Sequence, residues 1–220
     1  IQKYPIAREA IKYLVKDGRY DYIETGSLMS INANVKNINI PSEEHRIDMY
    51  PMDLEEFLWA LGDDMMMDYV KECFANRKPL GQSLHRKMME YMRLYMIVGG
   101  MPQAVKDWVE TKDFDEVDRT KRNILSLYRS DISKYASGQE ARVTKIFDTI
   151  PSQLQKHEKK FKLSALGKGT RGRNVETAFF WLDESRVVNT CFAATEPTVG
   201  LEMRADECSR KIYMADTGLL

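Results

Sequence analysis

The side chains able to do chemistry are few and scattered. Thr25-Gly26-Ser27 places two hydroxyls around a glycine, a combination that lets backbone or hydroxyl come close to a ligand. Asp53-Leu54-Glu55-Glu56 gathers three carboxylates. An Asp at a helix start with Glu three positions on has the form of a capping box, however, which accounts for Asp53 and Glu56 without acid–base catalysis. His45, His85 and His157 stand far apart in polar surroundings and are read as solvated side chains rather than metal ligands. Cys73, Cys191 and Cys208 are widely spaced with no C-x-x-C, which fits a reducing cytosol and no zinc site. Lys168, Arg171 and Arg173 could meet the phosphates of a nucleic acid, with Asn174 and Thr177 beyond them as the side chains able to read base edges.

These residues need elements to position them, and helical spacing dominates. Ala7, Ile11, Leu14 and Val15 predict a helix from Pro5 that Gly18 stops. Tyr20 to Glu24 reads as a short strand ending in Thr25-Gly26-Ser27, and Arg46 to Tyr50 as a second strand, after the Asn-rich loop from Asn32 to Pro41. Asp53 then caps a helix whose apolar face is Leu54, Phe57, Leu58 and Leu61. Further helices are predicted over Met65 to Phe74, Leu84 to Val98 and Pro102 to Val109, with a long one from Asp113 to about Tyr135. Met88, Met92, Tyr95 and Met96 fall at helical spacing and are read as core.

Ser137-Gly138 is the expected boundary to a last unit. Its order is helix (Ala141 to Leu154), short helix (Leu163 to Gly167), helix (Asn174 to Ser185), strand (Val187 to Ala193) and strand (Lys211 to Ala215). This is the order of a winged helix, in which the third helix can enter a DNA groove and the hairpin forms the wing. The expected fold is therefore mostly α with an α+β remnant. Residues 1–60 would be the distal part of an α/β core, 61–136 a helical lid or bundle, and 137–220 the winged-helix unit.

Composition sets limits on partners. With 43% hydrophobic and 30% charged residues and as many Lys and Arg as Asp and Glu, the chain is that of an ordinary globular protein, and no apolar run is long enough to span a bilayer. Charge is unevenly spread. Ten acids between Ser42 and Glu72 face only Arg46 and Lys71, which would repel phosphate, whereas Lys156 to Arg173 is strongly basic and is where a polyanion would go. Arg46 and Arg129 could act as an arginine finger, but a surface ion pair explains either more simply.

Seven stretches in order carry a resemblance: Ile1-Gln2-Lys3, Thr25-Gly26-Ser27, Tyr50 to Leu58, Val98-Gly99-Gly100-Met101-Pro102, Tyr128 to Asp131, Ile150 to Leu154 and Asp216-Thr217-Gly218-Leu219-Leu220. Together they resemble a prokaryotic AAA-type P-loop ATPase family whose members join a nucleotide-binding domain to a C-terminal domain of unknown function. The resemblance implies that Ile1-Gln2 follows the Walker B acids, that Thr25, Gly26 and Ser27 form a sensor-like strand end beside the γ-phosphate, and that the intact protein binds ATP and Mg. The G-x-x-x-x-G-K-[ST] loop does not occur in the chain, so this portion alone is expected to be inactive and to hold no catalytic or metal residues of its own. Full members usually continue into a nuclease-like fold. The expectation is thus the distal part of an ATPase that couples nucleotide state to a winged helix, with DNA or a protein as the partner. The alternative is a non-enzymatic winged-helix DNA-binding regulator or protein-interaction module.

Overall fold

Local sequence signals set the helices in the computed structural model, which describes residues 5–26, 45, 47–136, 138–156, 160–167 and 175–220. Pro5 opens α1 (Pro5–Asp17), and the Gly18 N–H donates to the Val15 carbonyl at its end. Asp53 caps α2 (Leu54–Ala60). Its side chain accepts from the Glu56 N–H at 2.9 Å, while the Glu56 carboxylate accepts from the Asp53 N–H at 2.9 Å, so two of the helix's unpaired donors are satisfied reciprocally. Then follow α3 (Met65–Ala75), α4 (Gln82–Val98), α5 (Pro102–Thr111, with Pro102 in its first turn), and α6 (Phe114–Tyr135), where Asp113 accepts from the Asp115 N–H at 2.8 Å. The C-terminal unit contains α7 (Glu140–Leu154), a 3₁₀ turn (Leu163–Leu166), α8 (Glu176–Glu184), and the antiparallel hairpin β1 (Val188–Ala194) and β2 (Ala205–Met214). The protein is mostly α with this small antiparallel sheet.

The two early strands do not form. Residues 20–26 and 47–50 are irregular, and Arg46 lies outside the described residues. A strand is held by its ladder, and among the described residues no neighbour pairs with either segment. The methionine stripe on α4 also departs from expectation. Leu94, Tyr95 and Val98 face the core, whereas Met92 and Met96 are 38% and 47% exposed. The helix packs against α2, α5 and the Thr217–Leu219 turn, and those methionines lie off that face.

Two apolar clusters organise the chain. A small one joins Phe57, Val98, Ala104, Val105 and Val117 across α2, α4, α5 and α6. A larger one runs from Ile132 and Ala136 through Ile146 and Ile150 on α7 and Phe179 and Leu182 on α8 to Val188, Ile212 and Leu219. Met101 packs against both, and α6 gives Val117 to one and Ile132 to the other. Among the described residues no helix is long and apolar enough to cross a membrane.

Candidate functional site

Three stretches far apart in sequence meet between the clusters. Met52, just before α2, donates its N–H to the Gly100 carbonyl at 2.7 Å, and its own carbonyl accepts from the Tyr95 hydroxyl of α4 at 2.9 Å. Gly99 and Gly100 make the turn from α4 to α5. The Gly100 N–H donates to one carboxylate oxygen of Asp216, which follows β2, and the Gly218 N–H donates to the other at 2.7 Å. Asp216 is 3% exposed.

Glycine is required where these segments cross. Gly99 has φ 85° and ψ −174°, a conformation open essentially to glycine alone, and a Cβ there would overlap the Asp216 carboxylate. A Cβ at Gly100 would overlap the Met52 carbonyl oxygen, which belongs to backbone and cannot swing aside. The segments touch main chain to main chain.

Electrostatics follow from burial. Loss of solvent pushes the Asp216 carboxyl above the usual range, opposed by the N–H groups of Gly100 and Gly218 and by the Lys121 charge. Lys121 donates to the Ile97 carbonyl at 2.9 Å, near the end of α4 where helix carbonyls lack partners. Burial and then the Asp216 charge push the Tyr128 hydroxyl up to about 12. A carboxylate whose two oxygens are both taken by backbone N–H groups is arranged to fasten segments rather than to move protons. Among the described residues no group of three His, Cys, Asp or Glu could hold a metal ion.

The residues singled out for ligand contact are not assembled at this joint. Thr25 and Gly26 are exposed on the irregular segment after α1, and Ser27 lies outside the described residues. Thr177 is exposed in the first turn of α8, while Lys168, Arg171, Arg173 and Asn174 fall outside the description. The described part of α8 instead presents acids. Glu176 pairs with Arg210 of β2 at 2.8 and 2.9 Å, and the Asp183 carboxylate accepts from the Thr190 hydroxyl at 2.6 Å. The buried Arg210 guanidinium also lies between the rings of Phe179 and Phe192, at 4.6 and 5.5 Å, which fixes the hairpin to α8. Arg129 forms the expected surface ion pair, with Asp148 at 2.9 Å. Met52, Gly100 and Asp216 received no individual role from sequence. The adjacent glycines and the Asp before Thr217-Gly218 were the available signal.

A family model described as Domain of unknown function (DUF8612) matches residues 89–220, a span that contains both the Gly99-Gly100 turn and Asp216. No curated protein and no solved structure matches the chain.

Proposed function

The chain belongs to that family of unknown function, and on this premise we propose that it is the distal part of a AAA-type ATPase, in which the Asp216 joint makes the helical unit and the C-terminal unit respond together to nucleotide. The observation that carries this reading is the convergence of three of the resembling stretches. Met52, Gly100 and Asp216 come from separate members of the ordered set and hydrogen-bond in one chain. A joint with no slack transmits displacement, whereas a loosely packed contact absorbs it.

In this reading the helical unit is the lid and the C-terminal unit the winged helix. Thr25, Gly26 and Ser27 lie beside the γ-phosphate, and the phosphate-holding Lys and the Mg-holding acids precede Ile1. Thr25 and Gly26 supply one hydroxyl and a glycine backbone, which do not by themselves make a nucleotide site. Glu176 and Asp183 on α8 are engaged with Arg210 and Thr190 of the hairpin, so the described part of this helix does not choose between DNA and a protein partner. The DNA-binding alternative rests on Lys168, Arg171 and Arg173 for phosphate and on Asn174 and Thr177 for base edges.

The test begins with the reading frame upstream of Ile1, where the proposal expects G-x-x-x-x-G-K-[ST] followed by Asp-Glu. It continues with ATP binding and hydrolysis by the intact protein. Gly100→Ala is expected to leave ATP binding within about threefold while uncoupling hydrolysis from the partner. An intact protein that carries a sound P-loop yet binds no ATP would sink the reading. A steep salt dependence of DNA affinity, lost on replacing Lys168, Arg171 and Arg173 by Ala, would favour the DNA-binding alternative.

A further inference from the structure

Arg186 stands where its residue type is disfavoured. It follows α8 with φ 58°, in the left-handed region, and its N–H donates to the Asp183 carbonyl at 3.0 Å. Glycine is the usual residue at that place after a helix, because a Cβ there crowds the following carbonyl. Ser185 before it and Val187 and Val188 after it are buried, while Arg186 itself is exposed. The turn is fixed by its neighbours, and the long side chain is left to reach outward.

It reaches a segment 138 residues away. The guanidinium donates to the Asp48 carboxylate at 3.0 Å and lies 6.0 Å from the centre of the Tyr50 ring. Lys112 is left-handed too, with φ 55° after α5, yet it leans back over Trp108 of the helix it ends, at 5.4 Å. Attraction to a helix C-terminus explains a cation at both places, but it does not explain the reach from Arg186 to Asp48 and Tyr50. The segment that Arg186 meets is not held by burial. Residues 47–50 are irregular, and Ile47, Met49 and Tyr50 are 72%, 86% and 59% exposed. Two residues past Tyr50 the chain enters the joint, where the Met52 N–H donates to the Gly100 carbonyl.

We propose that Arg186 is a latch on the chain entering α2. Closed, it clips Asp48 and Tyr50 to the turn between α8 and β1. Open, it frees residues 47–50 while the Asp216 joint stays made. The two fastenings tie the stretch before α2 to the C-terminal unit in different ways. The joint is buried and joins through main chain. The latch is an ion pair whose side chains are 42% and 33% exposed, of the kind that salt screens and that adds little to overall stability. It can therefore open and close in the folded protein, and the residue that makes it is retained at a backbone position that glycine would fill at lower cost. This inference concerns contacts within the chain and does not depend on the ATPase reading.

Backbone order parameters from NMR amide relaxation, read at Met49 and Tyr50, test it. The wild type is expected near the rigid-backbone value of about 0.85 at both, and Arg186→Gly and Asp48→Ala below about 0.6. Met52 and Gly100 should stay rigid in both variants. Salt at about 1 M, where the Debye length is about 3 Å, should loosen Met49 and Tyr50 of the wild type and leave Arg186→Gly as it was. Exchanging the charges, Asp48→Arg with Arg186→Asp, should restore the order, since Asp tolerates a left-handed φ. Because glycine suits the turn, Arg186→Gly is expected to melt within about 2 °C of the wild type or above it. A wild type already below about 0.6 at Met49 and Tyr50, or an Arg186→Gly variant in which both stay rigid, overturns the proposal. So does an Arg186→Gly variant that melts about 5 °C or more below the wild type, which would make Arg186 a fixed brace of the fold.

Discussion

The two ends of β2 stand in contrast. Past Met214 the chain enters the joint at Asp216, where its carboxylate bonds to the Gly100 backbone, which in turn bonds to that of Met52, and a single Cβ has no room. At the other end the hairpin projects into solvent, with Val199 fully exposed and Leu201 and Met203 well exposed. One end fixes geometry within the chain, and the other stands in water. Both use main-chain hydrogen bonding. What differs is burial, since Asp216 is closed to solvent and the hairpin tip is not.

The sharpest way to break the joint is to add atoms to it. Gly99→Ala must relieve both a left-handed φ and an overlap with a buried carboxylate, and we expect a loss of about 3 kcal/mol or more, followed by a smaller loss for Gly100→Ala. Thermal melting checks both. Asp216→Asn leaves one of the two N–H donors facing an amide –NH₂ and is expected to cost about 2 kcal/mol, or several degrees in melting temperature.

Acid sharpens the contrast further. Burial holds Asp216 above the ordinary carboxylate range, so the folded state binds the proton more tightly than the unfolded chain does. Its stabilising contribution is complete below that range and falls away as pH rises through the folded value. The deficit of Asp216→Asn against wild type should therefore shrink as pH rises from about 4 towards neutrality. Asp63 runs the opposite way. Hydrogen bonds from Lys87 and Tyr91 hold it below its ordinary value, so its contribution is present above that value and is lost as pH falls through the folded one. Asp63→Asn is the smallest change expected, about 1–2 °C in melting temperature at neutral pH and less in acid.

What sequence could reveal differed by element. The capping box at Asp53 and Glu56 was legible because both partners lie within one turn, and the carboxylates do what their spacing implies. Helices from α2 onward were legible for the same local reason. The strands expected at Tyr20 to Glu24 and Arg46 to Tyr50 were not, because a strand depends on a ladder partner that no local window contains. At the joint, Gly99-Gly100 was visible as a break between helices. That it faces Asp216, 116 residues away, was invisible, since nothing local to either stretch specifies the other. Likewise the hairpin was expected, but the irregularity at Phe192/Ala193 is a property of pairing.

Helix α6 has a consequence for how the molecule unfolds. Its 22 residues make a rod about 33 Å long. Val117 near one end and Ile132 near the other are each about 1% exposed, in different apolar clusters. Neither cluster can lose its packing without exposing part of the helix that the other needs. Melting and hydrogen exchange should therefore report one cooperative transition for α2 to β2, with no stable half-folded state, and a cut at Ser137 should leave the C-terminal piece without Ile132 and Ala136 and unable to hold its fold.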